Sequence, residues 1–149
     1  TRRAGLHPGP CPLLAADTVV AASGTILEKP ASREHAREML EMLSGRTHQV
    51  VTGVAFVAGA IDASGSWLSV AAADAAVARF CESHVTFASL SVAEIEAYLD
   101  SDEWRGVAGG YRIQGLAARH ITALSGSYSN VVGLPLNLVY SILTGQPGN

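Results

Sequence analysis

The sequence predicts an α/β (α+β) domain: a mixed, twisted sheet with helices packed on its faces. Three observations predict it. Residues 11–20 and 47–57 are apolar, the second of them rich in β-branched side chains, and both read as buried strands. Between them, residues 32–45 carry a single apolar stripe at helical spacing. Downstream, helix-like and strand-like segments keep alternating loosely, as they do when a sheet is layered with helices. A length of 149 residues fits one domain, 1–149.

The chain opens with Thr1, and Arg2-Arg3 up to Pro10 reads as the tail of a helix ending at a Gly/Pro turn. In the strand Cys11–Val20 only Asp17 and Thr18 interrupt the apolar run. Ala21–Thr25 is a turn, Ile26-Leu27 leads on, and Pro30 favours an extended Lys29. Ser32 caps the clearest helix, in which Ala36, Met39, Leu40 and Leu43 fall on one face. Arg33, Glu34, Arg37, Glu38 and Glu41 read as its solvated face, and Gly45 closes it. Thr47–Val57 reads as a central strand covered on both faces. Ala58–Ser66 reads as a hairpin loop, Trp67–Val70 as a returning strand, and Ala71–Phe80 as helix or strand. His84–Leu90 alternates as a strand does. Ser91-Val92-Ala93-Glu94 is a capping box before a helix that ends by Asp100–Glu103. Ile121–Leu124 is a short strand, and Pro135–Leu143 a last helix with proline at its first position.

Composition narrows the function. Hydrophobic residues make up 48% and charged ones 15%, which fits a globular chain rather than a disordered one. Ten basic against thirteen acidic side chains argue against a broad grip on nucleic acid, though not against a small phosphate pocket. Cys11 and Cys81, far apart and without a CxxC, form neither a zinc framework nor a disulfide scaffold and read as free thiols. No run approaches the ~18–20 apolar residues that span a bilayer, and no N-terminal signal is present, so a cytoplasmic protein off the membrane is expected.

Three places could carry chemistry. Asp17 sits in an apolar strand, where a carboxylate costs stability unless it is partnered. It is either a strand-end hydrogen-bonding group or a general base or metal-binding carboxylate. Lys29 is the only lysine beside nine arginines; it is either a surface charge or a compact cation for a phosphate. The third place is Gly109-Gly110-Tyr111-Arg112-Ile113-Gln114-Gly115, where glycines let backbone approach a ligand and the Gln114 amide can read a base or sugar. The plain alternative is a loop that needs glycines only to turn. The five histidines show no metal spacing, and no Walker, G-x-G-x-x-G or G-x-S-x-G motif occurs.

Five segments in order carry a resemblance. They are Ala16-Asp17-Thr18-Val19-Val20; Ile26-Leu27-Glu28-Lys29-Pro30; Met39-Leu40 through Arg46-Thr47-His48 and Val51-Thr52-Gly53-Val54; Gly109-Gly110-Tyr111 with Ile113-Gln114-Gly115; and Gly126-Ser127-Tyr128-Ser129-Asn130-Val131-Val132-Gly133-Leu134-Pro135. From about Leu13 to Leu143 the chain resembles the Maf family of nucleoside triphosphate pyrophosphatases, with the inosine-triphosphatase-like fold. The resemblance implies hydrolysis of a nucleoside triphosphate to the monophosphate and pyrophosphate, as house-cleaning of nucleotide pools. It implies a divalent cation, Mg²⁺ or Mn²⁺, with Asp17 as proton acceptor and metal ligand and Lys29 on the phosphates. Thr18 and Gln114 match the dTTP/UTP type and are carried over as specificity residues. A homodimer is common among similar proteins.

Two departures stand out. Arg112 occupies a position where small residues are usual; it is either a phosphate contact or a side chain in solvent, and solvent is the expectation. Family members also begin with a strand, a Ser-Pro-Arg-Arg loop and a helix that help hold the phosphates. Nothing here corresponds, so the resemblance implies a domain incomplete at its N-terminus. At ~25 cal/mol per Å² of exposed apolar area, against ~5–15 kcal/mol of net stability, such a chain is expected to be marginally folded and weakly active or inactive. Two other readings are a 7-methyl-GTP or other non-canonical nucleotide pyrophosphatase, and an inactive truncated nucleotide-binding fragment.

Overall fold

The computed structural model describes residues 11–61 and 76–145. The readings of Arg2-Arg3 as a helix end, of residues 62–66 as loop, of Trp67–Val70 as strand and of residues 71–75 lie outside the described residues. Strands β1 (Cys11–Ala22), β2 (Thr25–Leu27), β3 (Thr47–Ile61), β4 (Ala76–Phe87) and β5 (Ile121–Ser125) form one sheet in the order β2-β1-β3-β4-β5. Helices α1 (Arg33–Leu43), α2 (Val92–Leu99), α3 (Tyr128–Val132) and α4 (Leu136–Thr144) complete the α/β architecture, with 3₁₀ turns at Ala108–Gly110 and Leu116–His120.

The sheet is not mixed among the described residues: every pairing is antiparallel. The first reversal has a local cause. Ser23 and Gly24 both have positive φ (51° and 78°), which suits the tight two-residue hairpin linking β1 to β2. β3 is central, as expected, but longer: it continues to Ile61, through the start of the expected loop. β4 begins at Ala76, so the alanine-rich stretch resolves as strand from there, and the strand expected at 84–90 coincides with it only over His84–Phe87.

Alternation assigns the faces. Thr18, Val20 and Ala22 of β1 lie with His48, Val50, Thr52 and Val54 of β3 and with Ser83, Val85 and Phe87 of β4 on one face. That face is covered. On the other, Asp17, Gln49, Gly53 and Glu82 are exposed, so β3 is covered on one face rather than two among the described residues. Ala36, Met39, Leu40 and Leu43 of α1 and Ile95, Tyr98 and Leu99 of α2 pack against the covered face near Val20, Val50, Val85 and Phe87. Each fully buried side chain of this size stabilises the fold by about 1.5–3 kcal/mol relative to exposure.

The helix ends are specified locally. Ser32 Oγ accepts from the His35 amide. Ser91 and Glu94 make the expected reciprocal capping box at α2. The Trp104 indole donates to the Leu99 carbonyl at 3.0 Å and so satisfies the exit of α2. One expectation about α1 changes. Arg33 does not simply face solvent: it reaches Glu96 at 2.9 Å and Asp100 at 2.6 Å, and Arg37 also pairs with Glu96. The polar side of α1 therefore tethers α2. Pro135 caps α4 from outside rather than occupying its first turn.

Candidate active site

β1 supplies the first two functional side chains. Asp17 lies opposite Gly53 and Thr18 opposite Thr52. Because they are neighbours in a strand, they leave opposite faces of the sheet. One cleft still touches both, since β2 pairs only with Val20–Ala22 and the described structure leaves the rest of β1 a free edge. Lys29, just beyond β2, and Gln114, in the glycine-rich loop, line the same cleft. All four residues expected to form the site therefore meet around one cavity of about 220 Å³. That is below the ~300–1,000 Å³ of sites that enclose a ligand, so a nucleotide would be held there only in part. Asp17, Lys29 and Gln114 are exposed, and Thr18 is half-buried.

Thr18 belongs to a buried polar chain. Its Oγ1 stands 2.8 Å from Thr52 Oγ1, and Thr52 donates to the Asn130 carbonyl at 3.1 Å. The Asn130 amide nitrogen donates to the Val50 carbonyl at 3.0 Å and to Ser83 Oγ at 2.9 Å. Thr52, Ser83 and Asn130 are all fully buried. This network pins α3 to β3 and β4 beside the cleft.

Gln114 stands on a turn tied at both ends. The Gly115 amide donates to the Arg112 carbonyl, closing the turn. The Arg112 amide donates to the Tyr98 hydroxyl at 3.1 Å, and the Leu116 amide donates to Glu103 Oε2 at 2.8 Å. A Cβ at Gly115 would lie 2.1 Å from Glu103 Oε2, so a side chain there would push that carboxylate off the Leu116 amide. The expectation that Arg112 points to solvent is corrected. Its guanidinium donates to the carbonyls of Glu103 and Arg105, both at 3.0 Å, and it lines the cleft. The Arg112 side chain thereby ties the stretch 103–105 to the turn that carries Gln114.

Gly109, with φ of 70°, brings the loop down onto β1, where a Cβ would stand 3.1 Å from Val20. Tyr111 is buried below, its hydroxyl 2.8 Å from His48 Nε2. Burial holds the Tyr111 phenol protonated and lowers the His48 imidazole to about 4. This pair is a neutral floor under the cleft. Thr52, Asn130, Glu103 and the structural part played by Arg112 are what sequence reasoning missed. Thr52 and Asn130 do lie within quoted segments, but nothing local marks them as partners.

Residues 2–146 match the family described as Maf-like protein. The chain is 46% identical over 143 residues to a dTTP/UTP pyrophosphatase of Paramagnetospirillum magneticum, covering 95% of this chain and 67% of that protein. Against proteins of the same name, it is 47% identical to that of Brucella abortus over 88% of this chain and 57% of the relative. For Granulibacter bethesdensis the figures are 48%, 89% and 56%. The chain thus spans between about half and two thirds of the length of the curated relatives it matches. With the family matched over nearly its whole length and its motif residues gathered at one cleft, the chain belongs to the Maf family.

Proposed function

We propose that the protein is a nucleoside triphosphate pyrophosphatase that acts on dTTP and UTP and so clears the nucleotide pool. The observation that supports this reading is the meeting of Asp17, Thr18, Lys29 and Gln114 around one cleft. The Asp17 carboxylate takes a proton from water, and the water oxygen bonds to the α-phosphorus. The bond from that phosphorus to the oxygen bridging to the β-phosphate breaks, and pyrophosphate leaves with the bridging oxygen. The Lys29 ammonium offsets charge on the phosphate oxygens, while Thr18 and Gln114 face the base.

A single carboxylate is a sparse metal site, and no cluster of three His, Cys, Asp or Glu stands among the described residues. That donor set fits Mg²⁺ or Mn²⁺ shared with substrate, since such ions are commonly held by one or two carboxylates plus phosphate oxygens. Asp17 would hold it. Bound there, the ion neutralises phosphate charge. No helix among the described residues is long and apolar enough to cross a membrane. We take the protein to work in the cytoplasm, on free nucleotide, as a homodimer.

The test is pyrophosphate release from dTTP, UTP, CTP, GTP and 7-methyl-GTP with Mg²⁺ or Mn²⁺. Asp17→Asn should lower turnover by about 10²–10⁴-fold and leave the melting temperature unchanged, because Asp17 is exposed. Near-normal turnover in that variant overturns the base assignment. Preference for 7-methyl-GTP overturns the substrate assignment, and calorimetric binding of UTP without pyrophosphate release marks a binding protein instead.

A further inference from the structure

The hydroxyl chain behind the cleft has a direction. Thr52 is fully buried, and its single hydroxyl proton faces two oxygens, the Asn130 carbonyl at 3.1 Å and Thr18 Oγ1 at 2.8 Å. A carbonyl oxygen cannot donate. If the Thr52 proton pointed to Thr18, the lone pairs of Thr52 and of the carbonyl would face each other at 3.1 Å with no proton between them, an arrangement that costs free energy at a fully buried hydroxyl. The Thr52 proton therefore goes to the carbonyl. Thr18 must then donate its own proton to Thr52, and its lone pairs are left for whatever enters the cleft. Gly133 lies beside that oxygen in the cleft lining, where a Cβ would make ordinary contact with Thr18 Oγ1 at 3.5 Å.

We propose that Thr52 is a specificity-determining positioning residue: by taking the Thr18 proton, it makes Thr18 an obligate acceptor that selects bases carrying a ring N–H. This deepens, and rests on, the reading of the site as a pyrimidine nucleotide pyrophosphatase. Uracil and thymine present an imide N3–H, which meets an acceptor. Cytosine presents a bare N3, which sets lone pair against lone pair. A free hydroxyl could rotate to serve either base; a hydroxyl committed at its proton cannot. Discrimination by polarity is also steeper than discrimination by size, because the wrong base leaves buried groups unpaired.

The experiment compares kcat/KM for pyrophosphate release from UTP, CTP and 3-methyluridine triphosphate, which has a methyl in place of the N3 proton. The unaltered protein should favour UTP over both by about tenfold or more. Thr52→Val should free the Thr18 hydroxyl and collapse the UTP to CTP ratio toward unity, while Thr52→Ser should keep it. The valine variant should remain folded, because the Asn130 carbonyl still accepts from the Gly133 amide at 3.0 Å; a thermal melt checks this. Equal cleavage of UTP and 3-methyluridine triphosphate, or an unchanged ratio in a folded Thr52→Val, overturns the proposal while leaving the pyrophosphatase reading standing. Failure to bind or cleave any nucleotide overturns both.

Discussion

Two neighbouring stretches of β3, on the same face, differ in kind. His48 and Val50 sit among Leu40, Leu43, Val85 and Phe87, under α1 and α2. Thr52 instead meets hydroxyls, a carbonyl and a buried amide beneath α3. The first region is an apolar joint in which the buried pair of His48 and Tyr111 is held neutral. The second is a hydrogen-bonded joint in which each proton has an assigned place, and it borders the cleft. The difference teaches that one strand can carry stability at one end and recognition at the other. Burial is indifferent to direction, whereas hydrogen bonds hold a hydroxyl in one orientation.

The largest expected effect lies at the cleft. Asp17→Asn should lose activity by orders of magnitude at unchanged stability, and loss of stability in that variant would erase the division between the two regions. The converse is Leu40→Ala. Leu40 is 1% exposed, in the middle of the joint between α1 and the sheet. Its truncation should cost about 2–5 kcal/mol in urea denaturation and leave the UTP to CTP ratio where it was. A shift in that ratio would mean that the two ends of β3 are coupled.

A smaller effect, specific to pH, sharpens the contrast. Burial lowers the His48 imidazole from its ordinary 6.5 to about 4. The unfolded chain therefore binds this proton first. Stability from the neutral, buried ring is fully present above pH 6.5 and is lost as pH falls from there toward 4. Between pH 7 and pH 5 the loss should be about 2 kcal/mol, seen as a lower urea midpoint. His48→Gln, which cannot titrate, should remove most of that slope. An equal slope in the variant would assign it to other groups.

Legibility in the sequence followed the range of each interaction. The stripe Ala36, Met39, Leu40 and Leu43 was readable because helical spacing repeats within eleven residues. Asp17, Thr18, Lys29 and Gln114 were singled out by their segments, although nothing in their spacing says that they line one cleft; the antiparallel path of β1 and the turn at Gln114 bring them there. Thr52 was not readable as a partner of Asn130, 78 positions away. Arg33 and Arg37 looked like a solvated face because Glu96 lies on another helix, 63 positions from Arg33. Arg112 looked free because the carbonyls it binds belong to a loop whose path no periodicity describes. The antiparallel sheet and the early start of β4 escaped for a related reason: alanine favours helix locally, and only pairing with the distant β3 overrides it.

The smallest expected effect concerns the capping box of α2, remote from the cleft yet attached to it through Tyr98. Ser91 Oγ accepts from the Glu94 amide, and Glu94 Oε2 accepts from the Ser91 amide at 2.7 Å. The Ser91 hydroxyl, which donates to Glu94 Oε2 at 2.7 Å, and then the Ser91 amide hold the Glu94 carboxyl below its ordinary range. Ser91→Ala removes one acceptor from the helix entrance and should cost about 1 kcal/mol. If α2 only buttresses the apolar joint, the loss appears in stability alone. But Tyr98 ends in a hydroxyl that accepts from the Arg112 amide, at the base of the turn that presents Gln114. Fraying confined to the first turn of α2 stops short of Tyr98, six residues from Val92 and anchored at 2% exposure. Nucleotide preference should therefore be unmoved in Ser91→Ala. A changed preference at full folding would show that the turn bearing Gln114 draws its rigidity from the whole of α2 rather than from Tyr98, Glu103 and Arg112.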